Sequence, residues 1–527
     1  MLRSEIHYGN RQVQAFADRP RSLDDMFRQA VARDGAALAL IDGERRINYA
    51  ALDAAVDRVA ANLARHGILK GDRVAVLLGN QAAFVELSLA CARLGAILVP
   101  INIRQRRPEN EFVVAHSGAK ILIHDAALVA HVPEAAQVPA LERRFSLNGA
   151  ADGALPYEAL LEAAGPPPKI TLNEDEPFCI LYTSGTTGQP KGAILTHFGL
   201  IHTCLNYEEA MALKPGERSA LAVPASHVTG LAAIILSMIR VGGCTVMVQA
   251  FKARGFLKLM AAERVTHTLI VPAMYNLCLL EPDFAHFDLS SWRVGGYGGA
   301  PMPEATIKQL ARLLPGLTLY NAYGATETTS PVTIMPPGQG VARADTVGRL
   351  VHGADMRVMD DEGREVAPGL PGELWIAGAM VVPGYWNNKA ATAANFTDGY
   401  WHSGDIGSLD RDGYVRVLDR KKDMINRGGY KVYSVEVENV LGHHPAIVEA
   451  AVIGRPDPVL GERVQAFAVL KEPSTSEAEL KAFCAARMAD YKVPERIIRL
   501  DRPLPRNANG KVLKTELRRM LDAETKE

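Results

Sequence analysis

The sequence predicts an α/β fold, with a large N-terminal domain of mostly parallel sheets and a small α+β domain at the C-terminal end. Short apolar runs alternate with helical patterns over roughly the first 340 residues. Most of these runs are apolar at consecutive positions, which is typical of strands buried on both faces of a parallel sheet. Shorter strands and Gly-containing turns then lead to a charged stretch at 419–423. We therefore expect the large domain to cover residues 1–420 and the small domain to cover 421–527.

The individual elements follow from periodicity and turn signals. Leu23, Met26 and Phe27 recur at helical spacing, and Asp42 followed by Gly43 is typical of a tight hairpin turn. In chain order, further helices are predicted over 50–66 and 83–94. Strands are predicted over 37–41, 46–49, 74–78, 97–100, 121–124, 178–182, 220–224, 244–248, 268–271 and 292–294.

Charge and hydropathy exclude some classes of partner. The 527-residue chain carries 58 Lys and Arg residues against 59 Asp and Glu residues. This balance provides no extended positive surface for nucleic acid or for an anionic membrane. The most apolar stretch, over 87–101, is interrupted by Arg93 and predicts a buried helix leading into a strand. We therefore expect no nucleic-acid partner and no stable membrane insertion.

The cysteines and the N-terminal residues indicate the compartment. The six cysteines include no C-x-x-C pair and none of the spacings typical of zinc sites, which predicts free thiols in a reducing environment. The N-terminal residues lack the apolar core of a signal peptide. These features predict a cytoplasmic protein, and the sequence leaves its assembly open, a homodimer included.

The strongest local signal is a segment rich in Gly, Ser and Thr that follows the strand predicted at 178–182 and leads to Lys191. Glycines let backbone N–H groups approach a phosphate, hydroxyls add donors, and the lysine adds positive charge. The segment is not a Walker A loop, because Lys191 follows Pro190 and precedes Gly192. The residues predicted to hold phosphates are Thr183, Ser184, Gly185, Thr186, Thr187, Gly188 and Lys191.

The segment at 182–192 resembles the phosphate-binding signature of the adenylate-forming superfamily, which includes acyl-CoA synthetases, adenylation domains of peptide synthetases and luciferases. Further motifs similar to those of the family follow in the expected order along nearly the whole chain. The resemblance implies a ligase that uses ATP, Mg²⁺ and coenzyme A to activate a carboxylic acid through acyl-AMP, with release of pyrophosphate and AMP. It also implies that the small domain is mobile and rotates about Lys422.

The resemblance assigns the nucleotide contacts to four later motifs and to the C-terminal tail. Glu327 is expected to hold Mg²⁺, which prefers hard oxygen ligands, and Asp405 to bind the ribose hydroxyls. Lys511 is expected to act near the α-phosphate, and Thr186, Glu327 and His227 are the other implied catalytic residues. The remaining implied nucleotide contacts are Gly299, Ala300, Pro301, Asn321, Ala322, Tyr323, Gly324, Thr326 and Arg420, with Tyr323 stacked on adenine.

The sites for the acid and the thiol follow from the same resemblance. The implied acyl pocket contains His227, Val228, Thr229, Gly230, Tyr297 and Gly298, and the implied coenzyme A contacts are Gly428, Gly429 and Lys431. Small residues after Glu327, together with Gly295, Gly296 and Gly298, are expected to leave space. These features favour a medium- or long-chain fatty acid, with an aromatic acid as the alternative.

Two other functions compete with this prediction. The acceptor thiol could belong to a separate carrier protein, although no carrier domain follows Lys511 in the sequence, which favours free coenzyme A. A nucleotide-binding regulatory protein without turnover is the second alternative. The presence of Lys511, Glu327 and Asp405 argues against it.

Overall fold

The computed structural model describes residues 1–183, 189–471, 474–507 and 510–524. It confirms the predicted α/β class. Over these residues the chain forms two compact units. The larger unit comprises Met1–Met356, Ile376–His402 and Asp412–Val415, and the smaller unit comprises Arg357–Trp375, Ser403–Arg411 and Arg416–Glu527. The domain boundary expected after residue 420 stays a prediction.

A seven-stranded sheet lies in the larger unit. Its strands pair in parallel except at one edge, where Pro177–Thr183 and Lys191–Thr196 form an antiparallel pair. Its central strands are buried at consecutive positions, at 74–77 and at 97–100, as the sequence predicts for strands buried on both faces. The strand order is Lys191–Thr196, Pro177–Thr183, Ile97–Pro100, Arg73–Leu77, Ile121–Asp125, Arg143–Leu147 and Leu155–Pro156.

A nine-stranded sheet completes the core of the larger unit. Its six central strands are parallel, and antiparallel strands extend it at both edges. The strand order is Arg349–Leu350, Ser330–Ile334, Thr318–Ala325, Val294–Tyr297, His267–Ile270, Arg218–Leu221, Cys244–Met247, Leu38–Asp42 and Arg45–Asn48. Residues far apart in sequence therefore meet at the carboxyl ends of neighbouring parallel strands, where ligands usually bind in such sheets.

Three smaller sheets account for the other strands. An N-terminal hairpin pairs Leu2–His7 with Arg11–Phe16. A five-stranded sheet has the order Ala354–Met359, Gly372–Gly378, Tyr400–Leu409 and Phe396–Thr397, with Val415–Arg420 also pairing with Tyr400–Leu409. The sheet of the smaller unit has the order Tyr430–Val432, Ile425–Arg427, Gly461–Leu470 and Ile447–Asp457, with Arg496–Leu500 parallel to Gly461–Leu470.

The helices cover the sheets with apolar faces and begin at polar caps such as Ser22 and Asn48, whose side chains accept backbone N–H groups. The α-helices are Leu23–Arg33, Tyr49–Arg65, Ala82–Leu94, Arg107–Ser117, His197–Ala210, Ser237–Val241, Ala253–Ala262, Pro272–Leu279, Glu304–Leu313, Lys389–Asn395, Ser434–Gly442, Glu477–Ala485 and Lys514–Glu524. Among the helices of the described chain, none is both long enough and apolar enough to cross a membrane. All six cysteines are buried and free, as predicted.

The strand predicted at 292–294 was wrong in its position. The observed strand is Val294–Tyr297, and Trp292 instead packs its ring in parallel against that of Tyr275 at a centroid distance of 5.7 Å. Gly295 and Gly296 both lie inside the observed strand. A side chain at either position would meet neighbouring atoms at about 3.0 Å, so the glycines permit close packing of the sheet.

Candidate active site

The predicted phosphate-binding segment joins two antiparallel strands. Thr183 ends one strand, Lys191 begins the next, and the Thr183 hydroxyl donates to the Lys191 carbonyl at 3.4 Å. The Lys191 ammonium lies 5.2 Å from the ring centroid of Tyr385. Ser184, Gly185, Thr186, Thr187 and Gly188 lie outside the described residues, so their phosphate contacts stay predictions.

The predicted metal ligand Glu327 lies on a short 3-10 helix, Thr326–Thr328, directly after the strand Thr318–Ala325. Glu327 is only 9% exposed, so its carboxylate is a buried hard oxygen ligand. The turn into this helix requires Gly324, because a Cβ there would lie 1.5 Å from the Ser330 carbonyl oxygen. One protein carboxylate fits Mg²⁺, which usually keeps several waters and shares phosphate oxygens.

Tyr385 is a neighbour of Glu327 that the sequence did not indicate. Its hydroxyl donates to Glu327 Oε1 at 3.0 Å, and its side chain is buried. The two residues are 58 positions apart, and the resemblance attached no role to Tyr385. The sequence signal near it is the apolar segment that follows 378 and ends at Gly384. In the structure Tyr385, directly after this segment, pairs with Ala193 in the Lys191–Thr196 strand.

The residues predicted to surround adenine come together at the carboxyl ends of two parallel strands. Tyr297 pairs in register with Asn321, and a Cβ on Gly298 would lie 2.3 Å from the Ala322 carbonyl oxygen. Gly299 has a φ of +76°, and Ala300 and Pro301 that follow it are exposed. Tyr323, in the middle of this group, is half-buried. These residues therefore lie together at one edge of the sheet, and their adenine contacts stay predictions.

The residues predicted for the acyl pocket follow the strand Arg218–Leu221. The Thr229 backbone N–H donates to His227 Nδ1 at 3.2 Å, so in the neutral ring the proton lies on Nε2. Desolvation lowers the pKa of His227 to about 4, which keeps the ring neutral near pH 7. Thr229 begins a π-helix, Thr229–Leu236, a rare conformation that is frequent at functional sites. Val228 and Gly230 are buried beside it.

The expectation that Gly295, Gly296 and Gly298 leave space for the acid was wrong, since a Cβ on Gly298 would lie 2.3 Å from the Ala322 carbonyl oxygen. A Cβ on Gly295 would meet Leu317, Leu319 and the Tyr275 hydroxyl at 3.0 Å. A Cβ on Gly296 would meet Leu269 at 3.0 Å. Packed neighbouring atoms therefore already occupy the space beside these glycines.

In the smaller unit, the predicted ribose ligand and the tail lysine lie near each other. Asp405 is buried, and its Oδ1 is 2.7 Å from Arg420 Nε. Desolvation, and then the positive charge of Arg420, lower the pKa of Lys511 to about 8, although part of the Lys511 side chain remains exposed. The charge of Asp405 opposes this shift. Asp405, Arg420 and Lys511 thus form one electrostatic group.

The residues predicted for the pivot and for coenzyme A lie on or beside a hairpin of the smaller unit. Gly428 and Gly429 have φ angles of +58° and +87°, and they join the strands Ile425–Arg427 and Tyr430–Val432. Lys431 Nζ lies 3.4 Å from Asp361 Oδ2, and Lys422 is exposed just before the hairpin. The predicted roles of Gly428, Gly429, Lys431 and Lys422 stay predictions.

A second cluster of possible metal ligands lies away from these residues. Glu5, His7 and Glu174 are the one such group of three within the described ranges. The guanidinium of Arg19, itself buried, lies 2.7 Å from both carboxylates. Because Arg19 pairs with both carboxylates and Arg21 also pairs with Glu174, the cluster is an ion-pair network and not a candidate metal centre.

Comparison with known proteins identifies the family. The model of the AMP-binding enzyme family matches residues 27–386, and that of the AMP-binding enzyme C-terminal domain matches 436–511. A feruloyl-CoA synthase of Amycolatopsis sp is 37% identical over 92% of this chain and 96% of its own. The long-chain-fatty-acid–CoA ligase FadD13 of Mycobacterium tuberculosis is 35% identical over 91% of this chain and 94% of its own.

Solved structures agree with this result. The o-succinylbenzoate CoA synthetase MenE of Bacillus subtilis, in complex with the acyl-adenylate intermediate OSB-AMP, superposes with a TM-score of 0.85 and 30% identity, covering 95% of this chain and 98% of MenE. The same enzyme has also been solved in complex with ATP and a magnesium ion. The chain therefore belongs to the AMP-binding enzyme family, as an AMP-forming acid–thiol ligase of the acyl-CoA synthetase type in the adenylate-forming superfamily.

Proposed function

We propose that this acyl-CoA ligase activates a hydrophobic monocarboxylic acid, with a medium- or long-chain fatty acid as its substrate. The observation that carries the proposal is the apolar character of the segment after His227. The π-helix residues from Gly230 to Leu236 are all buried and none is charged. A second carboxylate on the acid would find no cationic partner on this segment.

In the first half-reaction, the carboxylate oxygen of the acid attacks the α-phosphorus of ATP in line. The new P–O bond gives acyl-AMP, and the bond to the β-phosphate oxygen breaks to release pyrophosphate. Lys511 stabilises the negative charge that develops near the α-phosphate. The Nε2–H of His227 donates to the carboxylate and orients it.

The other charged groups bind the nucleotide. Glu327 would hold Mg²⁺, which would neutralise charge on the phosphates of ATP. Lys191 and the residues from Thr183 to Gly188 bind the β- and γ-phosphates, and Asp405 accepts the ribose hydroxyls. In the second half-reaction the thiol of coenzyme A attacks the acyl carbonyl carbon, the acyl–phosphate bond breaks, and AMP leaves.

An aromatic acid is the second candidate, because the feruloyl-CoA synthase relative matches nearly the whole chain. A separate carrier protein remains the alternative acceptor to coenzyme A. The cytoplasmic location and the homodimer stay predictions.

The experiment that tests the proposal is pyrophosphate release over a panel of acids, with coenzyme A or a phosphopantetheinylated carrier as the acceptor. We expect the highest kcat/KM with an aliphatic acid of eight or more carbons. Each two additional methylenes that become buried should raise kcat/KM roughly tenfold. We also expect thioester formation with coenzyme A. A preference for cinnamic-type acids would contradict the proposal of a fatty-acid substrate. Turnover with the carrier protein alone would contradict the proposal of coenzyme A as the acceptor.

A further inference from the structure

The side chain of Tyr385 connects two groups that the proposed function uses. Its hydroxyl donates to Glu327 Oε1 at 3.0 Å, and its ring lies under the Lys191 ammonium at 5.2 Å from the centroid. All three residues belong to the larger unit. A single buried aromatic residue therefore contacts both the candidate metal ligand and the lysine at the end of the phosphate-binding segment.

The backbone around Tyr385 is fixed at both ends of this connection. Trp386 N–H donates to the Gly192 carbonyl at 2.7 Å, and Ile194 N–H donates to the Gly384 carbonyl at 3.1 Å. On the other side, Val382 N–H donates to the Glu327 carbonyl at 2.9 Å. The segment from 382 to 386 is thus hydrogen-bonded to Glu327 and to the Lys191–Thr196 strand.

The Tyr385 ring itself has little freedom to move. Tyr385 is 5% exposed, and its backbone N–H donates to the Thr392 hydroxyl at 3.0 Å. Its ring packs edge to face with the ring of Phe396 at a centroid distance of 5.9 Å. A hydroxyl held in this way restricts the rotamer of the carboxylate that accepts its hydrogen bond. Restriction of a ligand by a hydrogen-bonded neighbour is a common way in which proteins tune a metal site.

We propose that Tyr385 is a positioning residue, which orients the Glu327 carboxylate toward the metal and holds it beside Lys191. The proposal rests on the metal-binding role of Glu327 in the proposed function. In this proposal Tyr385 acts on the metal through its hydrogen bond to Glu327. Loss of its hydroxyl should therefore weaken metal binding and raise the KM for Mg²⁺ more than it lowers kcat at saturating metal.

The test measures metal affinity apart from turnover. Full-length wild type and Tyr385→Phe are titrated with Mn²⁺ in the presence of a non-hydrolysable ATP analogue, and free Mn²⁺ is followed by EPR. We expect a 10- to 100-fold weaker Mn²⁺ affinity in Tyr385→Phe, the usual effect of removing such a partner. Tyr49→Phe is the matched control, since it removes the hydroxyl of another buried tyrosine, which bonds to the Gly243 carbonyl, and should leave Mn²⁺ affinity unchanged.

Glu327→Gln separates this proposal from the one it rests on. If Glu327→Gln weakens Mn²⁺ binding and Tyr385→Phe does not, the positioning role is refuted while the metal site stands. If Glu327→Gln has no effect, the metal role of Glu327 fails and the positioning role fails with it. The double variant should bind Mn²⁺ no more weakly than Glu327→Gln alone, and a further loss would show that Tyr385 acts by another route. A melting temperature within a few degrees of wild type excludes misfolding of Tyr385→Phe.

Discussion

Lys511 is a single side chain whose pKa is lowered by desolvation and then by the charge of Arg420, against the opposing charge of Asp405. In the proposed mechanism it stabilises charge only while acyl-AMP forms. Lys511→Ala should therefore lower the rate of acyl-AMP formation by about 10²–10³-fold, the typical effect of removing one such group. Thioester formation from supplied acyl-AMP should remain within a few-fold of wild type.

Rapid-quench measurement of each half-reaction checks this asymmetry. Lys308→Ala is a suitable control, because Lys308 is an exposed helix residue paired with Glu304 and should affect neither step. An equal loss in both half-reactions of Lys511→Ala would refute the separate role of Lys511 in adenylation.

The pKa of Lys511, lowered to about 8, predicts the pH dependence of the first step. The protonated ammonium is the active form, so kcat/KM for acyl-AMP formation should fall as the pH rises through about 8. Lys511→Arg keeps its charge at much higher pH, and its residual activity should stay level over the same range. The measurement is pyrophosphate release from pH 6.5 to 9.5. An identical fall in Lys511→Arg would assign the titration to another group.

At the level of elements, the helix His197–Ala210 carries two histidines, His197 and His202, that burial keeps neutral. The Phe16 N–H donates to His202 Nε2 at 3.0 Å, and the ring's Nδ1–H donates to the Phe198 carbonyl at 2.9 Å. Burial lowers the pKa of His202 to about 3. His197 accepts the Leu23 N–H at 3.2 Å, and burial lowers its pKa to about 4.

These pKa values predict acid sensitivity of the larger unit. Unfolded histidines titrate near pH 6.5, so below that pH the unfolded chain binds protons that the folded chain does not. The stability contributed by neutral His202 is complete above about pH 6.5 and is lost as the pH falls. By pH 5 the loss is about 2 kcal/mol for each such histidine.

Urea denaturation at pH 7 and pH 5 measures this effect. In His202→Gln the drop in the free energy of unfolding should be smaller than in wild type by about 2 kcal/mol. His286→Gln changes an exposed histidine and should keep the wild-type drop. A His202→Gln variant with the full wild-type drop would show that His202 does not cause the acid sensitivity.

The elements also show how far the sequence could predict the structure. Consecutive apolar runs predicted most strands within one or two residues, such as Ile97–Pro100, because burial on both faces leaves a strong local pattern. The Val294–Tyr297 strand was misplaced because the close packing that requires its glycines comes from Leu269 and Tyr275, which lie elsewhere in the chain. The π-helix Thr229–Leu236 has no local signal of its own.

The candidate site was predictable to a similar extent. Glycine-rich and charged motifs have fixed local spacing, so Lys191, Glu327 and Lys511 could be chosen from the sequence. Tyr385 could not, because its role depends on a hydrogen bond to a residue 58 positions away. Likewise, the proximity of Arg420 to Asp405 arises only when the strands Val415–Arg420 and Tyr400–Leu409 pair.

At the scale of the whole molecule, the mechanism requires two chemical steps with different demands on the same chain. We expect the small domain to rotate about Lys422 after acyl-AMP has formed. Lys422→Pro fixes φ near −65° and should stiffen this pivot. Acyl-AMP formation should stay near the wild-type rate, whereas thioester formation should slow by at least tenfold.

Single-turnover kinetics of the two steps measure this effect, with Lys422→Ala as the control for loss of the side chain alone. Lys422→Ala should carry out both steps within a few-fold of wild type. A Lys422→Pro variant that forms thioester at the wild-type rate would contradict rotation about this residue.

The most direct test of the whole account is a rapid-quench experiment in which the enzyme, ATP, Mg²⁺ and an acid substrate are mixed without a thiol, and coenzyme A is added later. The account predicts that acyl-AMP and pyrophosphate form in amounts equal to the enzyme, and that coenzyme A then converts the acyl-AMP to acyl-CoA and AMP. Formation of ADP in place of pyrophosphate, or acyl-AMP that coenzyme A leaves unchanged, would contradict it.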